Sequence, residues 1–292
     1  MAIIGNTKTI KLLERIAESG KIAGAYLFLG PESVGKFSAA LQFANKIIGK
    51  GGAINADLIV IAPETEEIKG VSKKRDIKIE AIRDLQHKLS LTATGGKHKV
   101  VIVDEAQRLN KSAQNALLKT LEEPNDQVVL ILNCHNVDKL LPTIVSRCQK
   151  VNFGLASDVE IAKIIPAGNA NKKEIIFWSI GRLGIAFDLL NKPEELNYRN
   201  EVLREFKDIF SKNLSEKFSL AETWSKDTTQ AQKKMRLWLI ILRQSMLNSE
   251  VVINVSPDKA LILIEEISQS LQTMRETNSN ARLILENLLL KF

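Results

Sequence analysis

Ala25-Tyr26-Leu27-Phe28-Leu29-Gly30-Pro31-Glu32-Ser33-Val34-Gly35-Lys36-Phe37-Ser38 is the stretch that decides the fold. Five apolar residues run into a glycine, and a second glycine follows with a lysine directly after it. A short apolar run of this kind reads as a strand buried on both faces. Glycines let backbone N–H groups close around phosphate oxygens, and the N-terminus of a following helix favours an anion. The spacing Gly-x-x-x-x-Gly-Lys is that of a phosphate-binding loop, with Gly30, Gly35 and Lys36 as its candidate ligands. The complete motif places Ser or Thr immediately after the lysine, to hold Mg2+. Here that residue is Phe37. Ser38, a further candidate, comes one position late. At roughly 3.6 residues per helical turn, its hydroxyl is expected to point elsewhere. Two readings stay open: a loop that binds nucleotide but handles Mg2+ badly, or a relic that only shapes the turn. Phosphoryl transfer rests largely on metal and positioning, so both weigh against full ATPase chemistry.

Outward from this stretch, strand and helix alternate. Residues 57–61, 99–104 and 128–133 are similar apolar runs, and 150–153 adds a fifth. Helical stretches are expected at 38–48, 79–89 and 111–122. In the last, Ala113, Ala116, Leu117, Thr120 and Leu121 share one face, Asn110 caps the start, and Pro124 lies just past the end. The expected fold class is α/β, a parallel sheet with helices on both faces and a phosphate loop. After residue 154 the strand signal stops. Short helices are expected at 158–165, 172–180 and 185–190, then a linker at 191–197 around Pro193, then helices to the end, longest at 230–246 and 259–274. Residues 237–242 are apolar all round, which predicts a helix buried in a bundle. The expected domains are therefore 1–153, a small helical domain 154–196, and a helical bundle 197–292.

The strand at 99–104 ends in Asp104-Glu105. In a phosphate-loop ATPase the first carboxylate would hold Mg2+ and the second would polarise the attacking water. A strand ending in two carboxylates is common and usually just solvated. Its place beyond a phosphate loop makes the functional reading the stronger one.

Composition sets the outer bounds. A chain of 292 residues suits two or three domains. It is 45% apolar and 26% charged, and its net charge of +7 permits contact with nucleic acid without requiring it. The two cysteines, Cys134 and Cys148, read as core thiols; they form no Cys-x-x-Cys and cannot build a four-thiolate zinc site, so no zinc is expected and a reducing cytoplasm fits. Residues 1–16 read as an amphipathic helix with lysines rather than a signal peptide, and no apolar run is long enough to span a bilayer. His87, His98 and His135 have no metal spacing. Lys69, Lys73, Lys74, Arg75 and Lys78 form a basic cluster that could meet nucleic-acid phosphates; a solvated loop is the favoured reading.

Three further blocks carry a resemblance. They are Asp104-Glu105-Ala106-Gln107-Arg108-Leu109, Asn115-Ala116-Leu117-Leu118-Lys119-Thr120-Leu121-Glu122-Glu123-Pro124, and Leu141-Pro142-Thr143-Ile144-Val145-Ser146-Arg147-Cys148. With Ile3-Ile4-Gly5, Ala25–Leu29 and Ile82-Arg83-Asp84-Leu85, they lie in order across residues 3–153, and this half of the chain resembles the bacterial clamp-loader ATPases of DNA polymerase III. The resemblance implies an AAA+ domain, a helical lid and a C-terminal collar that helps hold five subunits in a ring. The implied partners are motor subunits of the tau/gamma kind, a delta-like subunit, the sliding clamp and primer–template DNA, with no membrane. It implies that Arg147 is an arginine finger reaching a neighbour's ATP site, where a guanidinium offsets transition-state charge; the alternative for Arg147 is a local salt bridge. It also implies that Asn133 sits near the first sensor position; the alternative for Asn133 is simply a polar strand end.

Four departures point away from the ATP-hydrolysing motor subunits and towards the delta-prime branch: Phe37 in the loop, the missing zinc cysteines, Gly184 where a sensing arginine often stands, and Leu141-Pro142-Thr143 before the finger. Arg182 is a possible substitute sensor, though a surface charge is the plainer reading. In this branch Glu105 is degenerate or vestigial, and ATP with Mg2+ is uncertain. The alternative is a working ATPase, a tau/gamma-like motor or a small clamp-loader subunit. Arg83 and the segment 92–99, with Lys97 and Lys99, could line a ring interior, a placement that the sequence alone does not fix.

Overall fold

The computed structural model describes residues 5–49, 57–68, 71–90, 98–122, 127–247, 253, 255–276 and 280–292. They fall into two units, Met1–Ile164 with Gly181–Gly184, and Ile165–Ile180 with Ile185–Phe292.

In the first unit the elements run α1 (Thr7–Ser19), β1 (Ala25–Leu29), α2 (Lys36–Ile48), β2 (Leu58–Ile61), β3 (Thr65–Ile68), β4 (Val71–Lys74) and α3 (Ile79–Ser90). There follow β5 (Lys99–Val103), α4 (Lys111–Glu122), β6 (Val128–Cys134), α5 (Pro142–Arg147), β7 (Gln149–Asn152) and α6 (Asp158–Ile164). Five strands form one parallel sheet in the order β2-β5-β6-β1-β7. Its two faces read directly off the period of two. Leu27, Val101, Val103, Leu130 and Leu132 face a cluster that includes Ile82, Leu85, Leu117, Leu121 and Ile144 of α3, α4 and α5. Their neighbours Tyr26, Phe28, Val100, Ile102, Val129 and Ile131 face Leu13 of α1 and Ala40, Phe43 and Ile47 of α2. Each fully buried large side chain stabilises the fold by about 1.5–3 kcal/mol. Both faces are covered, so the strands read as near-continuous apolar runs.

Most expected elements are found within a few residues. Asn110 caps α4 as expected, its Oδ1 accepting from the N–H of Ala113 at 2.8 Å. Pro124 and the Glu123 before it lie outside the described residues, as do Ile3, Ile4, Lys69 and Lys97. Four readings are corrected. The first helix begins at Thr7, because Gly5 (φ 79°) and Asn6 (φ 50°) take left-handed conformations, and the Asn6 side chain both donates to and accepts from the Gly154 backbone. The expected linker at 191–197 is instead the opening of a helix, Pro193–Ile209. Proline at the first helical position loses no intrahelical bond, and Glu194 and Glu195 complement the helix dipole. Part of the basic cluster belongs to an antiparallel hairpin, β3–β4, that was not expected. Lys99 is buried, its Nζ donating to the carbonyl of Lys88 at 3.0 Å, so it is not an exposed cation for a ring interior.

The second unit is helical: α7 (Lys172–Ser179), α8 (Leu183–Asn191, whose first two residues belong to the first unit), α9 (Pro193–Ile209), α10 (Leu214–Ser225), α11 (Thr228–Leu247), α12 (Pro257–Glu276) and α13 (Ala281–Leu289). The all-apolar stretch in α11 is buried as expected at Leu237, Trp238, Ile241 and Leu242. Trp238 stands among Phe206, Trp224 and Phe292 with ring centroids 5.2–5.4 Å away.

Among the described glycines, Gly30 leaves the least room for a side chain. A Cβ there would lie 2.2 Å from the carbonyl oxygen of Phe153, at φ 151°. Gly20 also has positive φ, 70°, but meets nothing within 4 Å. Gly30→Ala is expected to destabilise by about 3 kcal/mol or more, through strain plus clash, and Gly20→Ala by about 1 kcal/mol through strain alone. Urea unfolding of the two variants checks this, and equal losses would contradict it.

Candidate functional site

The site forms where β1 gives way to α2. Gly30 donates to the carbonyl of Cys134 at 3.3 Å, and Phe153 donates to that of Leu29 at 2.7 Å, so the chain leaves the sheet between the ends of β6 and β7. Ser33 (φ 59°) and Gly35 (φ 97°) both take positive φ here, as backbone does in anion-binding nests. Val34, 2% exposed, anchors the loop, and α2 opens at Lys36. The Lys36 ammonium closes the loop on itself, donating to the carbonyls of Gly30 at 2.7 Å and Pro31 at 2.6 Å. Burial pulls the Lys36 pKa below its usual value, with Asp104 the main opposing charge.

A cavity of about 310 Å³ lies over this loop, and Gly35, Lys36, Asp104, Glu105 and Asn133 border it. The expected site residues are therefore brought together, except Arg147 and Gly30, which do not line it. Ser38, expected to point away, also borders the cavity, beside Phe37. Asn133 is 1% exposed at the end of β6, and its Nδ2 donates to Oδ1 of Asp104 at 2.9 Å. Its Oδ1 is buried and has no hydrogen-bond partner among the described residues. A buried orphan acceptor carries a desolvation cost, and it marks the polar end of the cavity.

Glu105 is engaged elsewhere. It takes a left-handed backbone (φ 50°) and ion-pairs with Lys74 of the hairpin and with Arg108, whose Nε lies 2.7 Å away. Nη1 of Arg108 also donates to the Lys74 carbonyl at 3.1 Å. Burial works to raise the Glu105 pKa, but the bonds and charges of Lys74 and Arg108 together outweigh it and hold the carboxyl below its ordinary range.

The residues therefore fit half of a nucleotide site. The nest, Lys36 and the cavity suit phosphate. The catalytic half is incomplete: Phe37 stands where the motif has the metal hydroxyl, and Glu105, at the water-polarising position, is held by two cations, although Asp104 still borders the cavity. Among the described residues, no group of three or more His, Cys, Asp or Glu could hold a metal ion.

One set of residues was missed in the sequence. Gln107, 6% exposed, accepts from the N–H of His135 at 3.3 Å, and its Nε2 lies 2.8 Å from Nδ1 of that ring. His135 Nε2 in turn lies 3.2 Å from Oε1 of Glu32 in the loop. Because the Gln107 oxygen must accept, its amide donates to Nδ1, and the neutral ring then presents Nε2–H to Glu32. This string ties the end of β6 to the phosphate loop. The available signal was His135 standing two residues after Asn133, and it is weak because His has no fixed partner in sequence.

Gly184 packs on the loop. Its N–H donates to the Ser33 carbonyl at 2.7 Å, and a Cβ there would come within 3.0 Å of that oxygen. Arg182 is half-buried, not a free surface charge, and its Nε has no partner among the described residues. Arg147 ends α5, away from this cavity. It is 38% exposed, with Nη2 at 2.8 Å from Oε1 of Glu122 and Nη1 donating to the Thr143 carbonyl at 3.1 Å. Cys134 and Cys148 are buried thiols as expected, and burial pushes the Cys148 pKa up to about 11.

Comparison with known proteins adds the following. A family model described as DNA polymerase III, delta subunit, matches residues 5–156, a little over half of the chain. The chain is 30% identical to DNA polymerase III subunit delta' of Pseudomonas aeruginosa over 217 residues, 70% of this chain and 66% of that protein. It is 26% identical to the delta' subunit of Bacillus subtilis over 81% of this chain and 75% of that protein, and 31% identical to subunit tau of that organism over 52% and 28%. The chain thus spans just under two thirds of the Pseudomonas protein. In structure it is similar to a DNA polymerase III gamma subunit-related protein of Thermotoga maritima, with TM-score 0.53 at 22% identity over 97% of each chain. It is also similar to the RuvB Holliday junction branch migration motor of the same organism, with TM-score 0.50 at 15% identity over 96% and 87%. The half-built phosphate site, the parallel sheet and these matches agree: the chain belongs to the DNA polymerase III delta-subunit family, as a clamp-loader subunit of the delta-prime kind with an AAA+ fold.

Proposed function

We propose that this subunit works in a clamp loader by lending Arg147 to the ATP site of a neighbouring subunit, and that it does not hydrolyse ATP itself. The observation that carries the reading is the contrast between its two chemical ends. Its own phosphate loop has Phe37 where the metal hydroxyl belongs, and its Glu105 is paired to Lys74 and Arg108. Its guanidinium, by contrast, stands at the surface at the end of α5, outside that cavity. An arginine supplied in trans stabilises the charge that develops on the transferred phosphoryl group.

The proposed setting is a cytoplasmic hetero-pentamer with tau/gamma-like and delta-like subunits that acts on the sliding clamp and primer–template DNA. The proposed division is an AAA+ domain at 1–153, a lid at 154–196 and a collar at 197–292. A helical second unit and the delta' and tau relatives support this setting. Among the described residues, no helix is long and apolar enough to cross a membrane.

The test is DNA-stimulated ATPase of the loader assembled from the subunits of its source, comparing wild type with Arg147→Ala. A loss on the order of 10³ or more is expected at the one site served. Total turnover then falls only in part, because other sites continue. Unchanged turnover with the ring assembled would contradict the proposal.

A further inference from the structure

Arg147 is not a loose side chain. Nη2 meets Oε1 of Glu122 at 2.8 Å, and Nη1 donates to the carbonyl of Thr143 at 3.1 Å. We propose that Glu122 is the positioning residue that aims Arg147 at the neighbouring site; this rests on the reading of Arg147 as a finger.

The two carriers are fixed to each other. Glu122 ends α4 and Arg147 ends α5, and Leu121 and Ile144 from the same helices share one buried cluster. The spacing of the two helix ends that carry them is thus set by the core. Helix polarity disfavours a carboxylate at the C-terminal end of a helix, where the carbonyls point. Glu122 stands there nonetheless, opposite a cation. The pair contributes little to fold stability, because Glu122 is 50% and Arg147 38% exposed and solvent screens such pairs. Its effect is orientation. An unpaired arginine samples many rotamers, and a finger has to hold one.

Donor arithmetic separates holding from blocking. A guanidinium carries five N–H donors; Nη1 gives one to the Thr143 carbonyl and Nη2 ion-pairs with Glu122, so donors remain. The side chain can meet a phosphate without leaving Glu122. Glu122 therefore acts through Arg147 and touches no nucleotide.

The experiment uses the assembled loader with Glu122→Gln, Arg147→Ala and the double variant, and reads kcat and KM for ATP in DNA-stimulated turnover. Glu122→Gln is expected to lower the Arg147-dependent part of kcat about 3- to 10-fold, the scale of ordering one rotamer-rich side chain. KM should not move, because the neighbour binds its own nucleotide. In the Arg147→Ala background, Glu122→Gln should cost nothing further. If Arg147→Ala loses activity while Glu122→Gln matches wild type, the positioning role falls and the finger stands. Faster turnover in Glu122→Gln would show that Glu122 withholds the finger, which also overturns the proposal. An additive loss in the double variant would make Glu122 an independent structural contact. No loss in Arg147→Ala would remove the finger reading itself, and the positioning role with it.

Discussion

The parallel pairing of β1 between β6 and β7 is the constraint on which the rest of the site depends. Leu29 is in register with Cys134 on one side and Asn152 on the other, and the chain leaves this three-strand slot through Gly30, directly under the Phe153 carbonyl. No side chain fits there. The pairing brings the phosphate loop beside the end of β6, and so beside Asn133 and His135. Asp104, at the end of β5, joins them because β5 pairs with the other edge of β6. A parallel sheet concentrates its chemistry at the carboxyl ends of its strands, and this one does so with residues far apart in sequence.

What the frame then holds is a site with three of its charged side chains already engaged. Lys36 bonds two loop carbonyls, Glu105 is held by Lys74 and Arg108, and Glu32 faces His135. The hairpin contributes one of these cations and is tied back through Arg108 to its own backbone. Phosphoryl transfer needs a metal and a positioned water. Here the metal hydroxyl is replaced by a ring, and the carboxylate that would orient water is engaged. The same fold leaves a guanidinium at the surface beyond the sheet. On the proposed reading, the catalytic parts of an ATPase are divided between chains, and this one supplies the cation.

Much of this was legible in the sequence, for definite reasons. Strands buried on both faces are continuous apolar runs, so Ala25–Leu29 and Lys99–Val103 could be placed almost to the residue. Asn110 announced its cap because a short polar side chain before an apolar-periodic run has few other uses. The hairpin was not legible, since Thr65–Ile68 and Val71–Lys74 carry more charge than apolar side chains and look like solvated loop. Pro193 was read as a breaker, although at the first helical position it starts a helix. The burial of Lys99, the string from Gln107 through His135 to Glu32 and the pairing of Glu122 with Arg147 depend on which chain segments meet. No local pattern encodes that.

On the proposed reading, this chain does not use Mg2+ with nucleotide at its own loop. The most direct measurement is equilibrium binding and hydrolysis of a fluorescent ATP analogue by the isolated subunit, with and without Mg2+. No turnover and no tightening of binding on adding Mg2+ are expected. Tight, Mg2+-dependent binding with turnover that Lys36→Ala abolishes would contradict that reading and make this chain a motor in its own right.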